Sequence, residues 1–264
     1  MSMIPDSTQS KWKRALFFTL SLIPIALVGG FFTLRYQLPF IPAEELETAL
    51  AQVGGHMWLV YAITVMQTLL YACVCGFFGY VLADGLGLIR PFKLTKQPLL
   101  FTVIVSLIGG MALAFLDVFV FDPAVGGDLI LNGDRQGLTV DAWIASLLYG
   151  GVIEEIMLRL FFLSLVAWVI RKLFCRGTAT EALPAWLFVA ANLIAALLFA
   201  AGHLPATVAL FGELTPVLLI RCFLLNGGLA LGFGWLYTKH HVGYAMLAHA
   251  GVHIVSKILF LLLL

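Results

Sequence analysis

Charge is scarce along this chain. Asp, Glu, Lys and Arg make up 11% of its 264 residues, whereas soluble domains carry about 25%. No surplus of either sign exists: the formal net charge is +1, which leaves no basic field to hold nucleic acid and no acidic excess to gather cations. Cysteine is sparse too. Cys73, Cys75, Cys175 and Cys222 fall in or beside apolar segments and form no CxxC pair, so neither a disulfide framework nor a cysteine zinc site is indicated. They read as packing or lipid-facing residues. Long linkers, low-complexity tracts and convincing internal repeats are missing as well, which argues for one domain over 1–264.

What fills the chain is hydrocarbon. Hydrophobic residues reach 62% and mean hydropathy is +1.03, more apolar surface than a water-soluble fold could cover. A spanning helix needs about 20 mostly apolar residues, and seven such runs stand out, near 15–34, 57–82, 98–121, 142–170, 183–201, 216–237 and 242–264. The expected fold is therefore an all-α, polytopic transmembrane helix bundle of about seven spans. The first run follows Lys11, Lys13 and Arg14 as a signal peptide would. Its length and the lack of a clear small-residue cleavage site favour a retained helix.

Lys and Arg concentrate on the cytoplasmic side of membrane proteins. With the N-terminus in the cytoplasm, that side holds Lys11, Lys13, Arg14, Arg90, Lys93, Lys96, Arg171, Lys172, Arg176 and Lys239, and the other holds Arg35 and Arg135. This asymmetry fits an odd number of spans. Residues 122–141, rich in Gly, Asn and Asp, read as an external turn-rich loop. Residues 84–97 read as a short interfacial segment or a plain basic loop. His240 and His241 follow Lys239 in a cytoplasmic turn, where solvation is the default.

Ionisable side chains inside a span cost at least about 2.5 to 3.5 kcal/mol at the helix centre, so they are functional candidates by default. The fourth span carries Glu154, Glu155 and Arg159. Glu155 and Arg159 stand at i,i+4, the spacing of an intrahelical ion pair. Glu154 is turned by about 100° and is left to face the bundle interior, where burial and a neighbouring cation or histidine can set a carboxyl near neutrality for base work. The fifth span ends at Phe199 and His203. The seventh holds His249 and His253 at i,i+4. Asp117 and Arg221 are positioned either to pair or to lie at interfaces. Asn226 reads as a bundle hydrogen-bonding residue, and Lys257, one turn past His253, as either snorkelling outward or lying near the site. The 21 phenylalanines read as packing and lipid-facing mass.

At these residues the chain resembles the CAAX protease and bacteriocin-processing (CPBP or Abi) family, marked by EExxxR, FxxxH and HxxxN on successive helices. Glu154, Glu155 and Arg159 match the first motif, Phe199 and His203 the second, and His249 begins the third. The likeness covers about Leu147 to Ser256 and includes the glycine-rich stretch from Asn226 to Gly232, within a motif-bearing core of about 142–264. It implies an intramembrane glutamic endopeptidase in which Glu154 and His203 activate a water and His249, with the residue four on, stabilises the oxyanion. That residue is His253 here, not asparagine, and Leu160 stands where a glycine often follows the arginine. Glu155, Arg159, Phe199 and Asn226 would support the site.

The resemblance implies no cofactor and no metal. The partners expected are the lipid bilayer and a peptide or protein substrate, with lipidated and membrane-anchored substrates among the options. A bacterial inner membrane is the expected location. Two other readings of the same residues stay open. His249 and His253, with Glu154 and His203, have the composition of a zinc site, and buried Glu, His and Arg can form the relay of a transporter or membrane scaffold. A last expectation concerns depth. Counted from its helix end, His203 falls some 15 Å nearer the surface than Glu154 and His253, and a kinked or re-entrant segment around Gly202 and Pro205, or a fifth span that starts later and ends deeper, would bring it down to join Glu154, His249 and His253 around one cavity.

Overall fold

The computed structural model describes residues 10–127 and 136–264. Residues 128–135, which include Arg135 and much of the glycine-rich external loop, lie outside the described residues. Among the described residues the chain is helical throughout its ordered elements: α1 (Lys11–Gln37), a short α2 (Ala43–Gln52), α3 (Met57–Gly85), α4 (Lys96–Ala124), α5 (residues 140–174), α6 (Ala185–Gly202), α7 (Leu204–Phe211), α8 (Pro216–Lys239) and α9 (Val242–Leu263). Six helices are long and apolar enough to cross a membrane, α6 and α7 counting together as one. The seventh is α5. The apolar runs of the sequence thus reappear as helices at nearly the same bounds, whereas α2 and α7 were not foreseen.

Among the described residues three helices depart from α winding. In α5 the stretches Ser146–Glu154 and Ile156–Leu163 take the wider π form, α4 does so at Asp117–Phe121 and α8 at Phe223–Gly227. Such turns cluster at functional sites, and here they carry Glu154, the buried Asp117 and Asn226.

Helices in lipid gain little from the hydrophobic effect and associate through close packing at small residues. Gly79 of α3 shows this: a Cβ there would lie 2.9 to 3.0 Å from the backbone of Leu160 and Phe161, so α3 and α5 meet backbone to backbone. Between α4 and α9, a Cβ on Gly110 would press on the Val255 side chain and the Ser256 amide. The side chains facing inward, among them Ile153, Ile156, Leu160, Leu187, Phe233 and Val252, are fully buried. Outward positions such as Phe17, Met66, Leu70, Ile108 and Leu262 are exposed and apolar, as a lipid-facing belt requires. An apolar groove of about 290 Å³ runs between α4 and α8, lined by Ile108, Gly109, Leu224 and Gly228 among others.

Polar bonds sort the two ends of the bundle. Arg14 pairs with Asp84 at 3.1 Å, Arg171 donates to the carbonyls of Gly85 and Thr178, and Arg90 donates to those of Lys239 and His240. The N-terminal basic segment and three connections thereby share one end, the end that the charge count assigns to the cytoplasm. At the other, Arg35 of α1 pairs with Asp141 of α5 at 3.0 Å. The 84–97 connection forms no helix between Leu88 and Thr95. Tyr244 ties it down by donating to the Lys93 carbonyl and accepting from the Thr95 amide.

His240 and His241 are more than solvated turn residues. His240 packs on Phe101 and Trp235. His241 is the N-cap of α9, its Nδ1 accepting the Gly243 N–H at 2.9 Å while its ring lies against Phe92. Burial and the Arg90 charge push the His241 pKa from 6.5 down to about 4.

Candidate active site

Glu154 and Glu155 sit mid-helix on α5 and behave differently. Glu155 is fully buried, and its Oε1 lies 3.0 Å from Arg159 Nη1 and 2.8 Å from His249 Nδ1. One carboxylate oxygen thus binds both a cation on its own helix and an imidazole on α9. The Glu154 side chain keeps 21% of its surface exposed, and its Oε2 lies 3.9 Å from His249 Nε2. Glu155 is the anchored acid and Glu154 the accessible one.

Helix length explains the meeting of α5 and α9. Glu154 is fourteen residues past the start of α5 at Val140, and His249 is fourteen residues before the end of α9 at Leu263. At 1.5 Å per residue both lie roughly 21 Å from the same end of the bundle. The two helices run antiparallel, so equal counts give equal heights.

His249 is held on every side. Its Nδ1 faces the Glu155 carboxylate, which can only accept, so Nδ1 carries the proton and Nε2 points to Glu154. Phe233 of α8 stacks on the imidazole at 4.7 Å and 15°, and Phe199 of α6 meets its edge at 5.9 Å. His253 stacks on its other side at 5.0 Å. Arg159, 1% exposed, lies over the same two aromatic faces, 4.6 Å from Phe199 and 5.3 Å from Phe233. Glu155 Oε2 and both terminal nitrogens of Arg159 are buried without a well-aligned hydrogen bond among the described residues. They retain bonding capacity toward the interior.

His203 joins the cluster through Phe199, its ring 4.6 Å away. α6 stops at Gly202, and Pro205 in the first turn of α7 restarts the helix. The helical segment continues to Phe211, so His203 lies about 12 Å below that end instead of at the surface. The helix is interrupted at that joint, where the kink was expected. His203 Nδ1 lies 2.8 Å from the Phe199 carbonyl. A carbonyl only accepts, so Nδ1 carries the proton and Nε2 is left as the basic nitrogen. The imidazole immediately beside Glu154, however, is that of His249.

Of the supporting residues, Glu155, Arg159 and Phe199 lie within the cluster. Asn226 donates to Cys222 Sγ at 3.6 Å, and Cys222 in turn donates to the Ala200 carbonyl, which fastens α8 to α6 one turn from His203. Asp117 and Arg221 do pair, by two bonds of 2.6 and 2.7 Å, joining α4 to α8 apart from the cluster. Lys257 is buried, donates to the Gly137 carbonyl and lies 5.9 Å from the Trp143 ring. Its amine reaches the chain just before α5. Two residues escaped the sequence reading. Phe233 was counted as packing mass, although its position seven residues after Asn226 puts both on one face of α8. Gly150 carries no mark in the sequence beyond being a small residue in an apolar run, yet a Cβ there would lie 3.2 Å from His253 Nε2 and 3.7 Å from His249 Nε2.

Among the described residues, no group of three or more His, Cys, Asp or Glu side chains is arranged to hold a metal ion.

No curated protein and no solved structure matches the chain. A family model does. The model described as type II CAAX prenyl endopeptidase Rce1-like matches residues 136–255. That segment carries every residue of the cluster, and its match is to the CAAX protease family that the three motifs resemble.

Proposed function

We propose that this integral membrane protein is an intramembrane endopeptidase of glutamic type, with Glu154 as the base that activates water. The observation that carries the reading is the unequal carboxylate pair: Glu155 spent on Arg159 and His249, and Glu154 accessible and 3.9 Å from the same imidazole. A helix-embedded pair with one free member suits proton transfer.

In the proposed reaction a water gives a proton to Glu154 as its oxygen attacks the scissile carbonyl carbon, and the carbonyl π pair moves onto oxygen. An N–H of His249, whose ring Glu155 holds, and an N–H of His253 donate to that oxyanion. Its pair then re-forms the carbonyl, the C–N bond breaks, and the proton held by Glu154 passes to the departing amine. His203 presents Nε2 as a second acceptor for the water. No covalent acyl intermediate is needed, since no serine or cysteine in the cluster is paired with a base.

A substrate reaches such a site from the bilayer, which fits a peptide carried on a lipid or membrane anchor. A prenylated CAAX-type tail is the choice nearest the family description, with a bacteriocin leader or membrane-protein tail as alternatives. We place the protein in a bacterial inner membrane as one domain, with its core in about 142–264. The test is cleavage of a prenylated CAAX-type peptide by the purified protein in lipid nanodiscs. Glu154→Gln should abolish turnover while helicity and elution volume stay unchanged. Near-wild-type cleavage by that variant would remove Glu154 from the chemistry, and a wild type that cleaves no membrane peptide would return the cluster to a relay or scaffold role.

A further inference from the structure

His249 and His253 stand one turn apart on α9 with rings 5.0 Å apart and 24° from parallel. Stacked imidazoles can rotate about χ2 and expose either nitrogen, so something must decide which edges face the same way. For His249 it is Glu155, which holds Nδ1. For His253 no such bond to Nδ1 is present among the described residues, and the groups facing it electrostatically are His249, Lys257 and His203.

The deciding contact comes from α5. Gly150 is buried and sits one turn before Glu154 in the π-wound stretch. A Cβ built on it would meet three atoms: His253 Nε2 at 3.2 Å, His253 Cδ2 at 3.6 Å and His249 Nε2 at 3.7 Å. All three are imidazole atoms, and both nitrogens are Nε2. The hydrogen-only face of Gly150 is therefore the surface on which both Nε2 edges rest. The next residue differs. A Cβ on Gly151 would meet Ala250, with its Cβ at 3.0 Å and its Cα at 3.4 Å, which is ordinary helix-to-helix packing of small residues.

From this we infer that Gly150 is a positioning residue: its missing side chain turns the Nε2 atoms of His249 and His253 toward one place and holds the pair at the spacing that two donors to a single carbonyl oxygen require. The inference deepens the peptidase reading and rests on it for the identity of the oxygen. The positioning itself does not depend on catalysis. A methyl group at 150 is closer to His253 Nε2 than ordinary contact allows, and the imidazole is the movable partner because the α5 backbone is fixed by Gly79 and by Gly151. A displacement of several tenths of an ångström at a donor is enough to lower turnover without touching the peptide-binding surface.

The experiment compares Gly150→Ala with Gly151→Ala in nanodiscs, by two readouts. The first is cleavage kinetics per folded molecule. Gly150→Ala should lower kcat on the order of 10- to 100-fold with little change in KM, whereas Gly151→Ala should lower Tm and leave kcat in place. The second uses protein with 13C-labelled histidine rings. Gly150→Ala should shift the His249 and His253 ring signals and leave those of His203 and His56 unmoved, and Gly151→Ala should shift none of them. Adding His253→Asn to Gly150→Ala, which replaces the crowded ring by a shorter amide donor, should recover part of the lost kcat. Equal loss of kcat in both glycine variants, or unshifted His249 and His253 signals in Gly150→Ala, would overturn the inference. If the wild type proves to have no peptidase activity, the proposed function fails and the ring signals still decide whether Gly150 sets the imidazoles.

Discussion

Glu155 Oε1 and His249 Nδ1 are 2.8 Å apart in the interior of the helix bundle, and the same oxygen is 3.0 Å from Arg159. Removing the cation from such a triad leaves a buried carboxylate paired only with an imidazole, at a cost of about 3–5 kcal/mol. Arg159→Leu is therefore expected to lower folded yield and Tm sharply. The double variant Glu155→Leu with Arg159→Leu removes both charges and should restore much of the yield, measured by size-exclusion recovery in detergent. It also frees His249 Nδ1, so turnover should stay lost in the recovered protein. Recovered yield with recovered activity would show that Glu155 does not serve His249. No recovery of yield would argue that Arg159 touches substrate.

The turn between α8 and α9 responds to acid. His241 must be neutral to accept the Gly243 N–H, and its pKa stands at about 4 against 6.5 for an ordinary histidine. Above pH 6.5 neither the folded nor the unfolded form carries this proton, and the cap is intact. Between 6.5 and 4 the unfolded chain binds the proton and the native chain does not, so this contribution to stability falls as pH falls and is gone below 4. Tm measured across that window should decline. His241→Asn keeps an N-cap acceptor that does not titrate, and its Tm should decline less steeply. An unchanged slope would show that the acid response arises elsewhere.

The spans were legible because length and hydropathy are properties of single segments, and each apolar run became a helix within a few residues of its expected bounds. The ion pair of Glu155 and Arg159 was legible for the same reason: it is local. α2 was missed because ten residues with Glu44, Glu45 and Glu47 satisfy no membrane pattern. The partnership of Glu155 with His249 was hidden because it spans 94 residues of chain and depends on equal depths in two helices. The depth of His203 was hidden because Leu204 to Phe211, beyond the end of the fifth apolar run, is a further helix. π winding leaves no mark in residue types at all, although it decides which side chains of α5 share a face.

The last prediction concerns the tautomer of His203. Its Nδ1–H donates to the Phe199 carbonyl at 2.8 Å across the break between α6 and α7, so one nitrogen shapes the helix and the other is available to a water. Asparagine and glutamine separate these tasks, since an Asn amide reaches about as far as Nδ1 and a Gln amide about as far as Nε2. His203→Asn should keep the bond to Phe199, the helix break and a wild-type Tm, and lose the basic nitrogen, with turnover down roughly 10²- to 10⁴-fold, the range of a lost acid–base partner. His203→Gln should lose the bond to Phe199 and with it part of the Tm, measured by thermal unfolding in nanodiscs. It too should fail to turn over, because an amide is not a base. Wild-type turnover in His203→Asn would exclude Nε2 from the reaction and leave His249, already beside Glu154, as the histidine that shares its water.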